Sequence, residues 1–383
     1  MAYQSFPWQQ GDSRSFEKLV RLYLPVLQGK TLLDVGCNTG YFCGWAAFQG
    51  AARVRGIDAN PAFVSQAAAL FPECSFACMS WDDLGPETFD VILCISAIHY
   101  AKDQQELIGK LMDRLNPDGV LVLEIGVAPG DADAFIEVER SIDTRLFPTR
   151  AKVASMLARY AFKELGQSVR QGGDPVPRYI YHVAHARPYA VTFLDGHYAG
   201  KTSAIAALLR PEIRRISGDA TYRDIAQGNL AVSAPLRETV TCVPGTDHID
   251  SALVTGNICD KGLLPALIAV FRHLAGGKDF ILDHFIPPRH RPGVHAMLHA
   301  NGYFVVDAAL FEAAYPPWPR KRPPFRQYEA YTRYLEKRYA INEEEYLAAN
   351  PDVAEAVAEG KLPSGQYHYM HFGKKEKRKL RPE

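Results

Sequence analysis

The chain has 383 residues, of which 47% are apolar, with 43 basic side chains against 43 acidic ones. That length calls for two or three domains, and a formal charge of zero lends no support to general nucleic-acid binding. Seven cysteines without a Cys-x-x-Cys pair argue against a disulfide framework or a structural zinc site and fit a reducing cytoplasm, while no segment reads as a signal peptide or approaches the ~20 apolar residues of a membrane helix.

In chain order, TLLDV, ARVRGID, FDVILCI and GVLVLEI are almost continuously apolar, the pattern of strands buried on both faces of a parallel sheet. Helical stretches such as PAFVSQAAALF and QQELIGKLMDRL separate them, and the Asn116-Pro117-Asp118-Gly119 turn is expected to lead directly into a strand. FKELGQSV and RYIYHVAH are expected to close the sheet as an antiparallel pair, with the domain ending near Arg187-Pro188.

The first strand runs into DVGCNTGYF. Asp34 ends the strand, and Gly36 and Gly40 permit a turn whose backbone amides approach a ligand closely. Asp58 ends the second strand, 18 residues beyond Gly40, where a carboxylate accepts from ribose hydroxyls. With FDVILCISAIHY and LNPDGVLVLEIG following in order, residues 30–187 resemble the class I S-adenosylmethionine (SAM)-dependent methyltransferases. The resemblance implies a Rossmann-like seven-stranded domain over residues 1–187. It also implies a SAM site in which Asp34, Gly36, Cys37 and Gly40 line the amino-acid end, Asp58 and Ala59 the ribose, and Ser80, Trp81 and Ile95 the adenine side. Ser80 stands where many members of the family have an acid. The N-terminal FPWQQGDSRSF is expected to fold over SAM, with Arg14 near its carboxylate.

Methyl transfer from a sulfonium needs an aligned acceptor more than it needs a base. His99, after the fourth strand, is expected either to take a proton, to position the acceptor, or to pack under the pocket rim. DPVPRYIYHVAH is similar to a segment of methyltransferase–kinase proteins that cap bacterial O-antigen polysaccharides. That likeness implies acceptor-side roles for Arg178 and Tyr179, the arginine pairing with a phosphate or carboxylate.

A new strand begins at Tyr189 and runs into DGHYAGKTS, the strand–loop–helix setting of a phosphate-binding loop. Residues 188–315 resemble the P-loop small-molecule kinases, which implies a three-layer P-loop NTPase-type domain. Gly196, Gly200, Lys201, Thr202 and Ser203 would cradle the phosphates of ATP, with Thr202 and Asp283 holding Mg2+. Asp219 would orient the acceptor hydroxyl, and Arg289 and Arg291 would clamp the phosphoryl group. Asp195 occupies the first glycine position of the motif, and an acid beside a triphosphate is unfavourable unless it points away or binds metal through water.

YPPWPRKRPPF reads as a linker, and residues 316–383 as a linker followed by a small helical module. The stretch from Ile341 resembles a module appended to bacterial glycosyltransferases and surface-associated proteins, which implies a glycosyltransferase partner. Its basic run KKEKRK also allows a place at the inner face of the membrane. The expectation for the whole is a bifunctional enzyme that methylates and phosphorylates a glycan or small sugar-containing acceptor in polysaccharide termination. The alternative is a small-molecule O-methyltransferase whose P-loop domain only binds nucleotide.

Overall fold

The structure is a computed structural model that describes residues 3–9, 11–140, 143–170, 175–195, 213–243, 246, 248–308, 325–373 and 376–382. The chain divides into two compact units: Met1–Met156 with Gly166–Val183 and Arg320–Glu383, and Leu157–Leu165 with Ala184–Pro319. The boundaries expected near 187 and 315 therefore lie close to changes of unit, but the residues from Arg320 onward fall in the same unit as the N-terminal residues.

Strands β1 (Thr31–Val35), β2 (Arg53–Asp58), β3 (Ser75–Cys78), β4 (Phe89–Ile95), β5 (Leu115–Gly126), β6 (Phe135–Glu139), β7 (Thr144–Pro148), β8 (Ala161–Gln167) and β9 (Arg178–Ala184) occupy the first half of the chain. Seven of them form one sheet in the order β3-β2-β1-β4-β5-β9-β8, and β6 pairs with β7 as a separate antiparallel hairpin. The pairs among β1 to β5 are parallel and β9 runs antiparallel to β5, as the apolar runs and the expected closing pair required. One detail differs. Asn116–Gly119 does not precede β5 but lies within it, where the register jumps from Phe89↔Leu115 to Val91↔Val120. The turn residues are absorbed as a bulge in the strand.

Helix α1 (Ser15–Arg21) precedes β1, α2 (Tyr41–Phe48) follows it, and α3 (Pro61–Leu70) follows β2. Asn60 caps α3 by accepting from the Ala62 amide, and Pro61 at the first helical position has the φ the helix needs. Helix α4 (Gln104–Met112) is capped by Asp103, which accepts from the Glu106 amide.

The helix Phe325–Tyr339 belongs to this unit because an aromatic seam joins it to α2. The Tyr328 ring stacks on Trp45 at 4.9 Å, and Tyr331, fully buried, donates its hydroxyl to the Tyr41 carbonyl at 3.0 Å. Arg338 forks onto Glu73 at 2.6 and 2.7 Å. Sequence spacing marks such aromatics as core residues without saying which helix they meet.

In the second unit β10 (Tyr189–Phe193), β11 (Arg214–Ser217), β12 (Phe280–Asp283) and β13 (Phe304–Asp307) form a parallel sheet in the order β11-β12-β10-β13. The helices Gly218–Ala226, Ser251–Asp260, Leu264–Ala275 and Arg291–Ala300 supply Tyr222, Ile258, Leu267, Phe271 and Leu298 to its buried core. Among the described residues, no helix is long and apolar enough to cross a membrane.

Tyr331→Ala should cost the first unit about 3–5 kcal/mol, the range for removing a buried aromatic from a packed core. Urea unfolding followed by tryptophan fluorescence, which reads Trp45 directly, measures it.

Candidate functional site

The glycine turn is built where β1 hands over to α2. Gly36 has φ +75° and Gly40 φ +83°, left-handed values that favour glycine. A Cβ on Gly36 would lie 2.9 Å from the Ala97 Cβ, so the turn also depends on close approach to the residues after β4. Asn38 shares the left-handed region at φ 49°. Asp58, at the end of β2, accepts from the Asn38 amide through Oδ2 and from the Asn60 amide through Oδ1, both at 2.9 Å. Its carboxylate is thus fixed beside the turn.

Asp34 is buried beneath the turn at 1% exposure. Burial pushes its carboxyl up to about 7; the Cys43 thiol, donating at 3.6 Å, opposes this, and the charge of Asp58 adds to it. Cys37 shapes the loop through its backbone amide, which donates to the Ile57 carbonyl, while its thiol is buried near Gly56. Ala59 adjoins Asp58 and takes a contact from the Cys78 thiol, and Ile95 is buried at the end of β4. Ser80 caps the short turn Trp81–Asp83 by accepting from the Asp82 amide at 3.2 Å, and Trp81 is only partly buried.

Arg14 behaves otherwise than expected. It stands at the N-terminus of α1 with its guanidinium on Glu17, and its side chain is half exposed. The residue that α1 sends inward is Lys18. Its Nζ donates to Ser96 at 2.7 Å and to Glu124 at 3.0 Å, and Ser168 donates to the other oxygen of Glu124. Arg178 lies 4.0 Å from the same carboxylate. Burial works against the charge of Glu124, but Lys18 and Arg178 outweigh it and hold the carboxyl below its ordinary range. Neither Lys18 nor the two serines bears a sequence signal, because a lysine on an amphipathic helix normally reads as solvated.

His99 is buried, and burial together with Arg178, Arg140 and Arg145 depresses its pKa to about 3. A guanidinium can only donate, so the contact between Arg140 and His99 Nε2 at 3.1 Å makes Nε2 the acceptor and places the ring proton on Nδ1. That lone pair is therefore committed, and the ring orients Arg140 rather than serving as a proton acceptor at Nε2. Arg140 and Arg145 come from the β6–β7 hairpin, where both bind Asp143. Tyr179 lies next to Arg178 in β9 and therefore faces the other side of the sheet, with Arg150 4.7 Å above its ring.

In the second unit, Gly196, Gly200, Lys201, Thr202 and Ser203 lie outside the described residues. Asp195 pairs with Arg291 at 2.7 Å, which neutralises the acid at the mouth of the loop. Arg291 is therefore engaged there, and Arg289 is engaged by Asp260 at 2.8 Å. Asp219 follows β11 and accepts from Ser251 at 2.6 Å. Asp283 pairs with Arg215 at 2.5 Å. No group of three or more metal-ligating side chains occurs among the described residues.

Residues 33–123 match a family described as a methyltransferase domain. This region is a class I SAM-dependent methyltransferase domain. A tRNA U34 carboxymethyltransferase from Hahella chejuensis is 29% identical over 150 residues, covering 34% of this chain and 46% of the relative. A second protein of that name, from Desulfotalea psychrophila, is 31% identical over 145 residues, covering 33% of this chain and 45% of the relative. The chain thus spans less than half the length of these curated relatives. Among solved structures, a SAM-dependent methyltransferase from Mesorhizobium loti is similar at 20% identity and a TM-score of 0.36, covering 43% of this chain and 95% of that one.

The unfolded chain ionises Asp34 above pH 3.8, whereas the folded domain keeps it protonated up to about 7. Stability contributed by the protonated acid is therefore lost as pH rises from about 4 to 7, by a ceiling of about 4 kcal/mol, and is level above that. Asp34→Asn should flatten the decline, read as the difference between wild-type and variant urea midpoints across that pH range.

Proposed function

We propose that the first unit transfers a methyl group from SAM to an anionic oxygen of its acceptor. The observation that carries this reading is the charge around the ends of β4, β5 and β9. Lys18, Arg178 and the side chain of Arg140 are almost wholly buried and gather with Arg145 beside Glu124 and Asp143. Guanidinium groups collected at one sheet edge suit a phosphate or carboxylate acceptor.

The turn residues suit SAM because the Gly36 cradle leaves no room for a side chain and Asp58 is already fixed by two amides. When bound, SAM supplies an electrophilic methyl on a sulfonium. Arg178 and Arg140 hold the acceptor anion, and His99 orients Arg140 through Nε2. An oxygen that arrives ionised needs no general base, consistent with a histidine kept neutral. In this reading the acceptor is a phosphorylated or carboxylated small molecule or glycan. The relatives named for tRNA make a tRNA acceptor the competing choice.

A second reading concerns the other unit, where we infer phosphoryl transfer from Mg-ATP to a hydroxyl. It is supported by the parallel order β11-β12-β10-β13, in which the strand before DGHYAGKTS is flanked on both sides, and by the Asp195–Arg291 pair that removes the charge objection. Asp219 would orient the acceptor hydroxyl. Together the two activities describe a bifunctional glycan-modifying enzyme, to which the C-terminal module would recruit a glycosyltransferase.

Calorimetry with S-adenosylhomocysteine should give an affinity that drops roughly tenfold or more in Asp58→Ala, through loss of a charged acceptor. Arg140→Ala should leave that binding intact while methyl transfer to a phosphorylated glycan falls roughly tenfold. Equal transfer to neutral and anionic acceptors, or transfer to tRNA alone, would overturn the acceptor assignment. Phosphate transfer from labelled ATP should vanish in Lys201→Ala; ATP binding without transfer in the wild type leaves the second unit a nucleotide-binding module.

A further inference from the structure

A cavity of about 190 Å³ lies within the first unit, bounded by the N-terminal arm, the tip of the glycine turn, α3 and the C-terminal turn Tyr369–Gly373. Asn38 and Thr39 form its wall on the turn, while Gly36 and Asp58 are not among its lining residues.

The arm is anchored, so the cavity is a built feature. Gln4, almost fully buried, donates to the Cys37 carbonyl at 3.2 Å and accepts from Thr39 Oγ1 at 2.9 Å and from the Tyr41 amide at 3.0 Å. Trp8 packs edge-on against Tyr339 at 5.2 Å, and Gln9 bonds His371. Burial depresses the pKa of His371 below its ordinary value, so the ring is neutral. Among the described residues, no Asp, Glu, Lys or Arg lines the cavity. What lines it are aromatic faces and edges (Phe6, Trp8, Phe63) and amides (Gln9, Asn38, Gln66).

We propose that this cavity is a binding site for a neutral pyranose ring, a single sugar residue. The described walls are neutral and rich in groups that both donate and accept, which suits an uncharged ligand. Phe6 and Trp8 stack on one another at 5.1 Å and 16°. Aromatic surface beside amides suits a pyranose, which has an apolar C–H face and a hydroxyl edge. Amides both donate and accept, matching hydroxyls that do the same.

The site is independent of methyl transfer, and its test is a binding measurement on the full chain. Saturation-transfer NMR is run at millimolar concentration with methyl α-glucopyranoside, methyl α-mannopyranoside, methyl α-galactopyranoside and adenosine. The proteins are wild type, Phe63→Ala and Gln66→Ala. Both positions are partly exposed on α3, and the circular dichroism and S-adenosylhomocysteine affinity of each variant check the fold. At least one pyranoside should receive saturation on its ring C–H protons, with roughly a fivefold loss of affinity in each variant. No saturation of any pyranoside, or saturation unchanged in both variants, would overturn the proposal. Saturation of adenosine that depends on Phe63 while the sugars stay silent would also overturn it, assigning the cavity to a nucleoside.

Discussion

The buried carboxylate of Glu124 is the constraint around which the first unit is organised. It sits on a central strand with no solvent exposure, and a charge in that position is tolerated only if surrounding groups replace water. Lys18 from α1, Ser96 after β4, Ser168 after β8 and Arg178 at the start of β9 do so. One ionised group thereby fixes the mutual positions of elements far apart in sequence, all at the sheet edge where the acceptor is expected. The same demand brings Arg178 inward, next to the His99–Arg140 pair. The cationic character of the site is a consequence of how the core satisfies its own charge.

The glycine turn is held from the opposite side. Gln4 fills the hydrogen-bonding capacity of the turn and of the first α2 amide, and the arm that carries it packs on aromatic rings contributed by the C-terminal part of the chain. Phe6, Tyr41, Trp45 and Tyr331 form one seam, which makes the C-terminal helix a structural component of the methyltransferase unit. The complete burial of Tyr331 ties the helix Phe325–Tyr339 to this unit.

In the second unit Asp195, at the end of the segment that carries β10, is paired: Arg291, from the first turn of a later helix, holds it at 2.7 Å. Asp283, at the end of β12, and Asp260, at the end of the helix Ser251–Asp260, are likewise bound to arginines. Such pairs preserve charges near the surface without leaving any of them dominant.

By itself the sequence determined the parallel core strands β1, β2, β4 and β5, the glycine turn of Gly36 and Gly40 after β1, and the strand-end acids Asp34 and Asp58. Each of these depends on local requirements: continuous apolarity for a doubly buried strand, a left-handed φ at a glycine, an acid at a strand end. Only the tertiary structure showed which distant polar groups meet. Lys18 rather than Arg14 reaches Glu124 because the face of α1 that meets Glu124 is set by packing, not by charge pattern. Arg140 and Arg145 arrive on a hairpin that carries no motif, and His99 is committed at Nε2 because Arg140 reaches it across 41 residues of chain. Pairings between distant polar groups depend on where the backbone brings them, and no periodicity in the chain encodes that.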